Sequence, residues 1–322
     1  MNPNSAIDLL RNTLRRKHYS LSTEESYAGW LLRFMRYLAE LPGGLSSERK
    51  LEAFLSALAR DEVSASTQNQ AFNAILFFYR DCLGQQLQGI NALRAKRAAT
   101  VRRAPAVDEV RRLLEDVRDE GPYPVRLVVK LIYGCGLRIT EPLGLRVRDV
   151  ELLHSRLIIR RAKGGKDRVV ALPCSLMVEI KAQLAVARLT WQRDVAAQVP
   201  IKLPGRLEKK YPQSQLSWNW AWLFPQSHPC RDPRSDMTVR WHQLESTVQR
   251  AVKSSCRRLG LEILPHELRH AYATHCLDGG QNPRAIQQAM GHKSLETTMG
   301  YLHAEALSVR SPLECASPGF QV

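Results

Sequence analysis

Two arginines, a C-terminal tyrosine, a pair of histidines and a lysine-bearing turn are the residues of this chain whose types and order could do chemistry together. Arg138 stands in Gly136-Leu137-Arg138-Ile139-Thr140-Glu141, and Arg269 in His266-Glu267-Leu268-Arg269-His270. Gly291-His292 is followed nine residues later by Tyr301, and Lys163 and Lys166 lie in Ala162-Lys163-Gly164-Gly165-Lys166-Asp167. A guanidinium stays charged at any working pH and offers a planar fork that fits two oxygens of one phosphate. Two such forks suit a phosphodiester that gathers negative charge on its two non-bridging oxygens. A tyrosine hydroxyl, with a pKa of about 10 in water, needs a cationic surrounding of this kind to become a nucleophile. His266 precedes Arg269 by three, on the same helical turn, where it could serve as acid or base.

The same stretch carries a rival reading. His266-Glu267-Leu268-Arg269-His270 spells H-E-x-x-H, which on a helix puts both histidines on one face for zinc, with Glu267 as base. A third ligand would have to come from His292 or Glu296. A zinc hydrolase has no use for Arg138, the lysine turn or Tyr301, so neither a metal nor an organic cofactor is expected.

The ordered set resembles the tyrosine recombinases: an Arg near a helix start, a hairpin Lys, H-x-L-R, G-H, then Tyr. The likeness runs from the N-terminal domain to the tail. It implies that Tyr301 is the nucleophile and that Lys163 protonates the leaving 5′-oxygen, with Lys166 the alternative acid. It implies that His266 is acid/base toward the tyrosine and that His292 donates a hydrogen bond to the phosphate. Glu141, three after Arg138, would orient an Arg or His. The product would be a 3′-phosphotyrosine, made without metal or ATP. Tyr272 is the rival phenol, but its place in the family holds a packed aromatic, and His270 and His275 read as structural. Three positions depart from the pattern: Pro142 for a leucine, Met290 for a leucine, and Gly300 for a bulky apolar residue. Glycine there loosens a helix by ~1 kcal/mol.

A narrower likeness concerns the insertion at about 190–225. Leu207-Glu208-Lys209-Lys210-Tyr211-Pro212, with Trp218, Trp220 and Trp222-Leu223-Phe224-Pro225, is similar to the insertion of integron integrases. That implies recombination between a double-stranded attachment site and cassette sites used as folded single strands, where unpaired bases are read by stacking and shape. Lys209, Lys210 and Tyr211 are the expected contacts. Alternating tryptophans equally suit a strand with one face in the core, and that is the reading preferred for each of them.

These residues need elements to position them. The 322 residues are 44% hydrophobic, enough for ordinary cores and for two domains. Lys plus Arg is 47 against 31 Asp plus Glu, a formal charge of +16 that calls for a polyanion. No run of apolar residues is long enough for a membrane span. The N-terminus lacks a secretory signal. The seven scattered cysteines form no CxxC pair and read as reduced thiols in a cytosol; the resemblance to integron integrases implies that this is a bacterial cytoplasm.

Residues 1–94 read as a small basic helical domain, which the resemblance implies is a SAM-like DNA-binding domain. Ser22 and Glu25 read as a capping box, Ser46 or Ser47 as the next cap, and Arg33 and Arg36 as basic positions on the second helix. The run 94–105 holds five basic residues, Arg94, Lys96, Arg97, Arg102 and Arg103; residues 95–105 read as a linker along a phosphate backbone, and a solvated charge run fits almost as well. Residues 106–322 read as the catalytic domain. Asp108 is the expected cap of its first helix and 125–133 its second. Runs 157–161 and 168–172 form a hairpin with lysines at its tip. Helices follow at 175–196, 237–259, 266–277, 283–290 and 294–303, with Asn282-Pro283 a start signal. The expected fold is mainly α: a two-domain DNA clamp whose catalytic half carries a small antiparallel sheet; the resemblance to tyrosine recombinases implies a homotetramer working on two DNA sites.

Overall fold

A computed structural model describes residues 2–93, 95, 104–160, 167–205 and 207–291. Two compact units, Met1–Arg102 and Arg103–Val322, each close on their own core.

The first unit is helical. α1 (Pro3–Arg16), α2 (Leu21–Leu38), α3 (Ser47–Arg60) and α4 (Ala65–Phe77) each follow a polar cap: Asn2, Ser20, Ser46 and Ser64 accept from backbone amides of the first turn. The start of α2 differs from the Ser22–Glu25 reading. Ser20 accepts from Thr23 N at 3.2 Å, so Ser22 already lies inside the first turn. The inward carboxylate is Glu24, not Glu25: Arg15 grips it at 2.7 Å where its side chain is 3% exposed. Phe34 meets Phe54 edge-on with ring centroids 5.2 Å apart, among Leu10, Leu14, Leu31, Leu55 and Ile75, all buried. Burying each such ring or leucine stabilises by roughly 1.5–3 kcal/mol. α4 runs into a π-turn, Phe78–Cys82, which Gly84 follows at φ +68°.

The second unit opens with α5 (Val107–Asp116) and α6 (Val125–Gly134). Asp108 is not the cap of α5; that position is Ala106, and Glu109 reaches back to accept from the Ala106 amide at 2.7 Å. A four-residue turn, α7 (Thr140–Leu143), leads to an antiparallel sheet of β1 (Val150–Glu151), β2 (Arg156–Ile159) and β3 (Arg168–Ala171). Arg156 faces Ala171 and Ile159 faces Arg168 across the β2–β3 ladder. The long α8 (Met177–Ala196), the short α9 (Leu207–Lys210), a two-stranded ribbon of β4 (Cys230–Arg231) and β5 (Thr238–Val239), then α10 (Glu245–Leu259), α11 (Pro265–Asp278) and α12 (Pro283–Met290) complete the described chain. Leu131, Ile132, Leu157, Val170, Ile180, Val248 and Leu268 meet in its core.

Two expectations fail here for one reason. Residues 237–244 are extended rather than helical, because Gln226 N donates to Trp241 O and Gln243 N to Phe224 O, each at 2.8 Å. Trp218–Trp220 form a 3₁₀ turn rather than a strand. The buried Arg146 donates to the carbonyls of Trp220 at 2.6 Å and Lys202 at 2.7 Å, with its guanidinium 3.6 Å from the Trp222 ring centre. That long-range demand overrides local alternation. Among the described residues no helix is long and apolar enough to cross a membrane.

Candidate active site

Arg138 is placed by a turn that only glycine tolerates. α6 ends at Gly134, and Gly136 has φ +60°. A Cβ on Gly136 would also stand 2.4 Å from the Tyr272 ring. Tyr272 therefore packs onto the backbone that delivers Arg138, and burial pushes its hydroxyl up to about 12. Glu141 closes the turn: it accepts from the Arg138 amide at 2.8 Å and from Arg138 Nη1 at 2.9 Å. Pro142 sits within the first turn of α7, where a missing N–H leaves no bond unmade.

Arg269 comes from α11, flanked by the buried Leu268 and Ala271. Its Nη1 donates to Gly136 O and its Nη2 to Met290 O, both at 2.6 Å. Nη1 also lies 3.7 Å from Glu141 Oε2. Arg138 and Arg269, 131 residues apart in the sequence, thus converge on one carboxylate. The Arg138 side chain keeps 25% of its surface exposed, whereas Arg269 keeps 3%.

A third guanidinium completes the cluster. Arg168 donates to Glu141 Oε1 at 2.8 Å and Oε2 at 2.6 Å, and its Nε donates to Ala289 O at 2.6 Å. No local motif marks Arg168 as a site residue. The available signal was the alternation of β3: Arg168 shares its face with the buried Val170, and a charge at a core-facing position demands a partner. Burial opposes ionisation of Glu141, but the hydrogen bonds and charge of Arg168, the Arg138 amide and the charge of Arg269 outweigh it, holding the carboxyl below its ordinary value.

Because that value is lowered by folding, the stabilisation is complete above the unfolded pKa of about 4.3 and is lost as pH falls through the folded one. Glu141→Gln leaves three guanidiniums without their anion and should cost about 3 kcal/mol at pH 7. In urea titrations the gap between Glu141→Gln and the parent protein should narrow as pH falls from about 5 toward 3. A constant gap would refute the ionised hub.

His266 is exposed at the start of α11, its ring centroid 4.5 Å from that of His270 in an edge-to-face contact. It lines a groove of about 820 Å³ together with Ile139, the neighbour of Arg138, and with Lys253, Leu264 and Glu267. The carboxylate of Glu267 turns back to accept from the Leu264 amide at 2.8 Å, which occupies the group a zinc hydrolase would use as base. No group of three or more potential metal ligands occurs among the described residues. His275 is held between Tyr133 OH at 2.9 Å and Pro105 O at 3.0 Å, a structural role.

Several expected site residues lie outside the described residues: Lys163, Lys166, His292 and Tyr301, and in the basic run Arg94, Lys96, Arg97, Arg102 and Arg103. The side chain of Lys209 is likewise outside them. What frames them is described. β2 and β3 flank residues 161–166 as a regular ladder, and α12 ends at Met290, capped by Gly291 at φ +66°, one residue before His292. Arg33 and Arg36 are exposed on α2, Arg33 lying 5.4 Å from the Trp30 ring centre. Lys210 and Tyr211 are exposed at the end of α9, the ammonium 5.2 Å from the ring centre. Trp222 is buried, while Trp218 packs against Trp191 at 5.4 Å and Trp220 lies under the Arg148 guanidinium at 3.4 Å.

Comparison with known proteins bears on the whole chain. Residues 106–307 match the model of the phage integrase family, and residues 7–89 match the N-terminal SAM-like domain of phage integrases. An integrase/recombinase of Escherichia coli is 39% identical, with 97% of this chain and 94% of that protein covered. The tyrosine recombinase XerD of Mycobacterium leprae is 30% identical, with 92% and 91% covered. Among solved structures, a lambda integrase dimer bound to a COC′ core site shares the fold with a TM-score of 0.61 at 15% identity, covering 92% of this chain and 94% of that one. XerH bound to its palindromic difH substrate after cleavage has a TM-score of 0.59 at 21% identity, covering 90% and 78%.

Proposed function

The chain belongs to the phage integrase family of tyrosine recombinases, and on that footing we propose that it breaks and rejoins DNA through Tyr301. Arg138 and Arg269 bind the two non-bridging oxygens of one scissile phosphate. The Tyr301 oxygen attacks phosphorus, its proton passing to His266, while the bond to the 5′-oxygen breaks and Lys163 supplies that oxygen with a proton. His292 donates a hydrogen bond to the phosphate. The bond energy is kept in a 3′-phosphotyrosine, and attack by a 5′-hydroxyl of another strand reverses the step. No metal or ATP takes part.

The single observation that carries this reading is the convergence of Arg138 and Arg269 on Glu141. Glu141 accepts from one Nη of Arg138, and that side chain keeps 25% of its surface exposed beside the α6–α7 turn, which supports an anion site there. Residues 1–94 bind DNA through Arg33 and Arg36, residues 95–105 follow the backbone, and residues 106–322 carry the chemistry. Four copies act on two sites. The insertion at about 190–225 supports the finer reading of an integron integrase that joins a double-stranded attachment site to folded single-stranded cassette sites in the bacterial cytoplasm, through Lys209, Lys210 and Tyr211.

The test is incubation with a nicked suicide duplex, from which the short fragment bearing the freed 5′-hydroxyl diffuses away. A covalent protein–DNA adduct should accumulate, unchanged by chelator. Chelator-sensitive hydrolysis would favour zinc, absence of adduct a regulatory DNA-binding protein, and an adduct with relaxation but no strand exchange a single-cut enzyme. For the finer reading, a folded single-stranded cassette site should recombine with a duplex attachment site. Recombination confined to duplex pairs would exclude it.

A further inference from the structure

We propose that Arg168 is a positioning residue for DNA cleavage, acting through Glu141 on Arg138 and through the Ala289 carbonyl on the end of α12; this rests on the function proposed above. Three independent contacts converge on this side chain. Its fork covers both oxygens of Glu141, at 2.8 and 2.6 Å. Its Nε reaches Ala289 O at 2.6 Å. Its aliphatic stem lies against Gly291, where an added Cβ would stand 3.2 Å from Arg168 Cδ.

The contact with α12 completes the end of that helix. The last four carbonyls of a helix lack partners within it. Here Gln287 O and Gln288 O take the Gly291 amide, Ala289 O takes Arg168 and Met290 O takes Arg269. Two guanidiniums from different elements therefore fix the turn immediately before His292.

The contact with Glu141 sets the charge of the site. Three guanidiniums around one carboxylate sum to +2. Without Arg168 the sum is +1, and Glu141 is left free to draw Arg138 and Arg269 inward by filling the oxygens that Arg168 now occupies. Arg138 instead gives Glu141 one Nη, and Arg269 stays 3.7 Å away. Loss of Arg168 should weaken the state of highest phosphate charge more than ground-state DNA binding, which many phosphate contacts share.

The test uses the full chain on the nicked duplex, at saturating protein, in a single turnover. Arg168→Lys should slow adduct formation roughly 30-fold and Arg168→Gln roughly 100-fold, while affinity for uncleaved DNA stays within about threefold. In a Glu141→Gln background, Arg168→Gln should add less than about tenfold, its action through Glu141 being already lost and only its hold on α12 remaining. A residue that serves only the fold would lower thermal stability yet leave the folded fraction cleaving at the parent rate, and its effect would multiply with that of Glu141→Gln. Either result overturns the proposal. Should Arg168→Gln not fold, the same cycle with Arg168→Lys carries the test. A parent protein that forms no adduct would sink the function itself, and this inference with it; a parent that cleaves normally confines any failure to Arg168.

Discussion

Tyr301→Phe should abolish the protein–DNA adduct while leaving non-covalent DNA binding within about threefold of the parent protein. Phenylalanine keeps the ring and removes only the atom that attacks phosphorus. Water is then the sole remaining nucleophile, and the arginines that favour charge on the phosphate do nothing to supply a held oxygen in its place. Cleavage should fall by roughly 10⁴-fold or more, in the range seen when an enzyme loses its covalent nucleophile. The rival phenol is poorly suited to substitute. Tyr272 lies against Gly136, half-buried, with its hydroxyl pushed up to about 12 by burial. Single-turnover gels of adduct against time on the nicked duplex check this, and an adduct that persists in Tyr301→Phe would contradict it.

Arg269→Lys should be nearly as damaging, and for two separable reasons. The first is chemical. A lysine presents one compact ammonium where the guanidinium presents a fork, so it cannot hold a phosphate oxygen while also spanning Gly136 O and Met290 O. Removing one preorganised donor from a site of developing charge slows the chemical step by roughly 10²–10³-fold. The second is structural. Arg269 is 3% exposed, and whichever carbonyl the lysine abandons is left buried without a donor, at about 1–3 kcal/mol. The two effects are separated by measuring adduct formation at saturating protein and unfolding in urea on the same preparation. A variant that cleaves within tenfold of the parent rate would remove Arg269 from the proposed chemistry.

Much of what positions the site could be read from local sequence because its partners are close in the chain. Arg138 and Glu141 are three apart, and the structure joins them by both the amide and the side chain. Asn282-Pro283 starts α12 with the asparagine accepting from Arg284 N at 2.8 Å. The two β-rich runs pair as an antiparallel hairpin. What stayed hidden depends on partners far away. Arg168 meets a carboxylate 27 residues earlier and a carbonyl 121 residues later, and neither distance leaves a periodic trace. The three tryptophans alternate as a strand would, but Arg146 takes the carbonyl of Trp220 from 74 residues away and folds the segment as a turn. The misplaced caps have a different cause. Ser20 and Ser22 are both competent caps, and the choice falls to tertiary contacts such as the grip of Arg15 on Glu24.

The most direct test of the account is to find the atom that carries the DNA. Adduct trapped on the nicked duplex is digested with nuclease and protease, and the nucleotide-bearing peptide is sequenced by mass spectrometry. The account predicts a 3′-phosphate ester on the Tyr301 oxygen and no other modified residue. A nucleotide on Tyr272, on a histidine or on a serine would contradict it.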